Sequence, residues 1–238
     1  MGRAYEVRKA SIQKTGAAKA KLYSMYAREI YDVAKKGGAD SESNLTLRRL
    51  LEKAKKDQVP GDIIKRALDK VNSGVDESYI TVRYELFGPN GSTLIAECLT
   101  DNVNRAISSV KTALNKCKCK MGVEGSVSFN YDHLCVISFK GMTEEEALEA
   151  TLESGIEIID LEIEDDNVII YGNPQDFVAI KEAIVNKMPN VEFDIDEITM
   201  LPKEKVTLEG EELEIFNRLV SMLEEAEDTK TVYHNVNM

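Results

Sequence analysis

The stretch Tyr79–Leu99, YITVRYELFGPNGSTLIAECL, decides the fold class. In Tyr79–Phe87 polar and apolar residues alternate, the pattern of a half-buried strand. Gly88-Pro89-Asn90-Gly91 then stops the run with a strong turn. Ser92–Leu99 resumes it, so the two runs are predicted to pair as a hairpin. Strands begin here. Everything upstream reads as helix, and everything downstream mixes the two.

Downstream, Thr100-Asp101-Asn102-Val103-Asn104-Arg105 leads into a helix over 106–116, with Asp101, Asn102 or Asn104 as its cap. Short strands follow near Val127–Tyr131 and Leu134–Phe139. A second cycle starts at Gly141. Its first helix, 143–153, opens on the capping-box spacing Thr143-x-x-Glu146. Strands at 156–164 and 167–171 flank the Asp165-Asp166 turn, a helix covers 175–187, and a strand covers 191–201. An acidic helix, 211–226, and a last strand, 230–236, end the order. The class expected is α+β: a three-helix N-terminal domain followed by two α/β domains of ferredoxin-like character, the last inserted in the other. The boundaries expected are 1–77 for the helical domain, 78–141 plus 200–238 for a discontinuous α/β domain, and 142–199 for the insertion.

Upstream, residues 17–36 contain one glycine-free and proline-free helical run, AAKAKLYSMYAREIYDVAKK. At about 100° per residue, Leu22, Tyr26, Ile30 and Val33 share a narrow face, while Lys21, Arg28 and Lys35 form a stripe opposite. Gly37-Gly38 ends the run. A second helix, about 44–57, buries Leu47, Leu50, Leu51 and Ala54 and sets Arg49, Lys53 and Lys56 on its far side. A third follows Pro60-Gly61-Asp62, with Ile64, Ala67, Leu68 and Val71 inward and Lys65, Arg66 and Lys70 among the other positions. Ahead of all three, Arg3, Arg8, Lys9 and Lys14 lie among small and polar residues, the composition of an arm that orders on a phosphate backbone.

The charge divides in the same place. Residues 1–73 carry a net +8, while the other residues carry −20, which together give the chain its −12. A basic head on an acidic body is expected to face nucleic acid. Stripes of lysine and arginine neutralise phosphates and release counterions, giving affinity without sequence preference. No helix-turn-helix, zinc-finger or RNA-recognition-motif signature is present.

Other classes find little support. No apolar run approaches the roughly 20 residues of a membrane span. The start MGRAYEVRKA lacks a secretory h-region, and Glu6 stands where a myristoylation motif wants serine or threonine, so a cytoplasmic protein without membrane attachment is expected. Cys98, Cys117, Cys119 and Cys135 do not make a paired CxxC array, and His133 and His234 are the only histidines, so no metal is expected. The acidic runs 144–146, 162–166 and 209–214 read as solvated turns and first helical turns. No phosphate loop, GxSxG or HExxH occurs. No catalytic residue and no cofactor are assigned.

Several short segments, in order, resemble the YebC family of bacterial and organellar gene-expression regulators. They are Lys21-Leu22-Tyr23, Arg28-Glu29-Ile30, Val59-Pro60, Phe87-Gly88-Pro89-Asn90-Gly91, the run 97–105 (ECLTDNVNR), Gly125-Ser126-Val127 and Val232-Tyr233-His234-Asn235. The opening Met1-Gly2-Arg3 is similar to the YeeN-type branch. Two departures stand out: Arg3-Ala4-Tyr5-Glu6 replaces the usual His-Ser-Lys-Trp start, and Cys119-Lys120 replaces a glycine pair. The resemblance implies a helical head, two α/β domains and no enzymatic activity. It implies a DNA-binding transcriptional regulator or a translation factor that binds ribosomal RNA on the ribosome, since the mitochondrial translational activator of cytochrome oxidase acts in translation and bacterial relatives assist ribosomes at proline runs. A protein-binding adaptor or an enzyme is the reading from another class, and it leaves the basic stripes unexplained.

Overall fold

A computed structural model of the chain describes residues 16–74 and 76–237. They form a helical N-terminal region and two separate four-stranded sheets, each with helices.

The N-terminal region has three helices: α1 (Gly16–Gly37), α2 (Leu45–Lys56) and α3 (Gly61–Asn72). Their shared core is Tyr26, Ile30, Ala34, Leu47, Ala54, Val59 and Ala67; Ala34 adds to the face that helical phase puts inward, and Val59 joins it from the link between α2 and α3. Asn44 joins the first two helices. Its side-chain oxygen accepts from Leu47 N at 3.1 Å, capping α2. Its amide donates to Val33 O at 3.2 Å and Gly38 O at 2.8 Å, so it also satisfies carbonyls at the end of α1. This explains the glycine pair in two different ways. Gly38 has φ +93, whereas at Gly37 a Cβ would stand 2.6 Å from Asn44 Nδ2.

The first sheet has the order β3-β1-β2-β8 and is antiparallel throughout. Its strands are β1 (Ile80–Phe87), β2 (Thr93–Thr100), β3 (Lys120–Met121) and β8 (Thr229–His234). The hairpin β1–β2 turns through Asn90 and Gly91, both at positive φ, which matches the twist of the strands they join. Helices α4 (Val103–Cys117) and α7 (Gly210–Glu225) bury Val110, Leu114, Phe216, Leu219 and Leu223 against Leu86, Leu94, Ala96 and Cys98. Asn235, just past β8, accepts from Thr93 N at 2.8 Å and so ties the end of the chain to the hairpin.

The second sheet has the order β5-β6-β4-β7, from β4 (Tyr131–Lys140), β5 (Asp160–Glu164), β6 (Asn167–Gly172) and β7 (Phe193–Pro202). Helices α5 (Glu144–Glu153) and α6 (Phe177–Lys187) cover one face through Ala147, Ala150, Phe177, Ile180 and Ile184. Gly172 permits this approach, since a Cβ there would lie 2.4 Å from Ile180 Cδ1.

Two expectations are corrected here. Tyr131–Lys140 was expected in the discontinuous domain, but it is a central strand of the second sheet, between β6 and β7. Residues Leu134–Phe139 are buried on both faces, and such a strand needs partners along both edges. The compact units accordingly change at Val127/Ser128 and Lys205/Val206. The strand expected near 127–131 is instead a short 3₁₀ turn, Ser128–Asn130. The N–H of Val127 is taken by the buried Glu85 carboxylate, which also accepts from Gly125 N at 2.8 Å, and no ladder forms there.

Candidate nucleic-acid interface

The helical region belongs to the same compact unit as the first sheet, so its cations can be placed against that sheet. The stripe Lys21, Arg28, Lys35 on α1 lies along this contact. Lys21 donates to the Glu224 carbonyl at the end of α7. Arg28 donates to Asp228 at 3.0 Å and also pairs with Glu227, and its side chain is only 12% exposed. Lys35 pairs with Asp76 and donates to Glu77 O at 2.6 Å. The Asp76 hydrogen bond raises the Lys35 pKa, and the same contact lowers that of Asp76. Glu29, on the same helix, pairs with Lys230 of β8. The face of α1 opposite the helical core therefore packs against a second surface. The three cations predicted as a stripe donate there to carboxylates and carbonyls of this chain, Arg28 at 12% side-chain exposure and Lys35 at 34%.

Asp228 is the centre of that contact. Arg28 and Arg105 both donate to it, Arg105 through Nε at 2.8 Å and Nη2 at 2.6 Å. Burial pushes the Asp228 carboxyl up, but the Arg105 hydrogen bonds and charge, with Thr100 and Arg28, bring it below its usual value. Arg105 is held in turn by Asp101 at 2.7 Å. Asn102 caps α4 by accepting from Arg105 N at 3.1 Å. The segment Thr100–Arg105 thus positions one guanidinium and starts one helix.

The second predicted stripe has a different setting. On α2, Lys53 and Lys56 are exposed and Arg49 is half-buried, opposite the buried Leu47 and Ala54. The predicted stripes leave out four exposed neighbours: Arg48 and Lys55 on α2, and Lys65 and Arg66 on α3. Phase at 100° per residue was the available signal, because Arg48 and Lys55 flank the Arg49–Lys56 line across an arc of roughly 160°. Arg48 pairs weakly with Glu52 at 3.7 Å and Arg66 pairs with Asp62, both within one helical turn. Lys53, Lys55 and Lys65 have no ion pair among the described residues. The result is a cationic surface on two consecutive helices. Arg3, Arg8, Lys9 and Lys14 lie outside the described residues, as does Tyr5. Tyr23 packs against the helical core, the ordinary role for an aromatic at that phase.

Elsewhere, no group of three His, Cys, Asp or Glu among the described residues is placed to hold a metal ion. Burial raises the thiol pKa values of Cys98, Cys117 and Cys119, which disfavours the reactive thiolate. No helix among the described residues is long and apolar enough to cross a membrane.

Comparison with known proteins places these features. The family model described as the TACO1/YebC protein N-terminal domain matches residues 3–74, and that described as the TACO1/YebC second and third domain matches 79–236. A "probable transcriptional regulatory protein" of Marinobacter nauticus is 43% identical over 238 residues, all of this chain and 99% of the relative. One from Vibrio parahaemolyticus is 43% identical with full coverage of both chains. Among solved structures, a conserved hypothetical protein from Aquifex aeolicus superposes with a TM-score of 0.74 at 31% identity, covering 94% of this chain and 92% of the other.

Proposed function

Because this chain belongs to the TACO1/YebC family, we propose that it is a non-enzymatic, cytoplasmic regulator of gene expression that grips a nucleic-acid backbone with the outer faces of α2 and α3. One observation carries the reading: Lys53, Lys55 and Lys65 stand exposed and without ion pairs among the described residues, on a head of net +8, while the rest of the chain carries −20. A body of that charge repels a polyanion, so it orients the molecule head first. The α1 stripe serves a different end in this reading: it docks the head on the first α/β domain. The second α/β unit is read as an insertion into the first, both of ferredoxin-like character.

The relatives' names favour a transcriptional regulator acting on DNA. A second reading, a translation factor on ribosomal RNA, is favoured by the character of the surface. It offers lysine and arginine side chains for phosphates and no signature of an element that reads base edges, so it suits folded RNA as well as duplex DNA. Crosslinking in cells followed by sequencing of the bound nucleic acid separates them. Discrete promoter peaks support the first reading, and enrichment of ribosomal RNA supports the second. Recovery of neither above background contradicts the nucleic-acid reading itself.

A further inference from the structure

Within the unit that holds the head, α1, α3 and the segment entering β1 enclose a cavity of about 310 Å³. That is the lower end of the size range of small-molecule pockets, roughly 300–1,000 Å³. Ile63 and Ala67 give it an apolar side. Tyr79, partly exposed, gives it an aromatic one. Arg66, which pairs with Asp62 on its own helix, supplies positive charge, and Lys70 and the Glu77 carboxylate are paired with each other at 2.5 Å.

The Tyr79 ring is held in place from three directions. Its hydroxyl donates to Glu77 at 2.9 Å. Its ring packs at 79° against that of Tyr31, with centroids 6.0 Å apart. The Arg28 guanidinium, itself fixed by Asp228, lies 5.9 Å from its centroid. A ring fixed in advance loses little entropy when a flat group stacks on it. Glu77 is kept ionised by Lys70 and by the Tyr79 hydroxyl, so it is an acceptor for an amino or imino N–H. Arg66 follows Lys65 on α3, so the cavity mouth is continuous with the cationic face. An aromatic wall, a Lys70–Glu77 ion pair that can open to offer both a cation and an acceptor, and the exposed Arg66 lie within one small volume, a set that matches one chemical class.

We propose that this cavity takes a single unstacked nucleotide, its base beside the Tyr79 ring and its phosphate at Arg66 and Lys70. The proposal rests on the reading of α2 and α3 as a phosphate-binding face. It deepens that reading by adding a preference for single-stranded or looped segments, whose bases are free to leave the stack.

The test uses the full-length chain and two probes: a 12-nucleotide single-stranded RNA carrying one 4-thiouridine, and 4-thiouridine 5′-monophosphate alone. Each is irradiated with the protein, and the crosslinked peptide is identified by mass spectrometry. RNA affinity is measured beside it by fluorescence anisotropy. Ser24→Trp, at an exposed position lining the cavity, blocks the site. Arg66→Gln, at a side chain 75% exposed, is a second variant that leaves the core untouched. The expected result is a crosslink within the peptide holding Tyr79, lost in Ser24→Trp, with RNA affinity lowered about tenfold in each variant. The slope of log K against log salt shrinks by no more than about one unit in Ser24→Trp, the single phosphate of the excluded nucleotide. A Tyr79 crosslink from the mononucleotide but not from the RNA supports the pocket and identifies a free nucleotide as its ligand. RNA binding with crosslinks confined to the outer faces of α2 and α3, and with both variants unaffected, overturns the pocket and leaves the phosphate reading standing. Failure of the wild-type chain to bind either probe overturns the pocket, and failure to bind a DNA duplex in the same buffer overturns the phosphate reading as well.

Discussion

Arg28, on the first helix of the head, donates a 3.0 Å hydrogen bond to Asp228, a carboxylate 200 residues further along the chain and only 2% exposed. Arg105 meets the same carboxylate from the start of α4. Two of the most distinctive segments of the sequence, Arg28-Glu29-Ile30 and the run ending in Arg105, therefore converge on one residue in the loop before β8. Their shared task is to fix the head on the first α/β domain.

Replacing that carboxylate leaves two guanidinium groups facing each other. Asp228→Ala is expected to cost about 3 kcal/mol, the lower end for breaking a buried pair, because Arg105 stays more than a third exposed. Urea unfolding checks it: the midpoint falls while the slope holds.

The same carboxylate sets a pH dependence. Its folded pKa lies below the ordinary value of about 3.9, so its stabilisation is complete above that value and is lost as pH falls through the lower, folded one. The wild-type urea midpoint should fall as the pH drops below about 4. In Asp228→Asn, which has no proton to take up, this part of the fall should be missing, so the profile is flatter. Parallel profiles would remove Asp228 from the account.

Asn44, 7% exposed, caps α2 and donates to two carbonyls at the end of α1. Asn44→Ala should cost about 2 kcal/mol, made up of roughly 1 for the cap and the rest for the carbonyls left unpaired. Thermal melting monitored by circular dichroism reads it. Asn44→Asp keeps the cap acceptor but turns a carboxylate oxygen towards the two carbonyls, so it should lose at least as much as Asn44→Ala.

Glu85 is 8% exposed and accepts from the backbone of Gly125 and Val127. Glu85→Gln replaces one acceptor oxygen by a donor and opposes an N–H with an N–H. A loss of about 2 kcal/mol is expected. Amide hydrogen exchange should accelerate at Gly125 and Val127 well before it does in β1.

The helices, the hairpin and the division of charge were legible in the sequence because they depend on neighbours in the chain. Phase placed Leu47 and Ala54 inside and Lys53 and Lys56 outside, and α2 is built that way. The same reasoning gave α1 one buried face, yet α1 has two. Nothing local to Lys21, Arg28 and Lys35 shows that Glu224, Asp228 and Asp76 face them, since two of those partners are brought there by the return of the chain at α7 and β8. Strand Tyr131–Lys140 misled for a related reason. Its pattern shows a strand buried on both faces, but its partners, β6 and β7, come later in the chain, beyond one and two intervening helices. Exposed carboxylates read correctly as solvated, whereas the buried one at Asp228 looked no different from its acidic neighbours Glu224, Glu225 and Glu227.

Lys53, Lys55 and Lys65, and not the α1 cations, are the groups expected to meet phosphate. The most direct measurement is the salt dependence of binding, log K against log salt, to a DNA duplex and to a single-stranded RNA. It compares the wild-type chain with Lys53→Glu/Lys55→Glu/Lys65→Glu and with Lys21→Glu/Arg28→Glu/Lys35→Glu. With three fewer phosphates neutralised, the first variant should bind more weakly and its slope should shrink by roughly 2 to 3 units. The second should unfold at lower urea and, while folded, keep a slope within about one unit of wild type. An unchanged slope in the first variant together with a reduced one in the second would contradict the account, and would return the phosphate-binding role to α1.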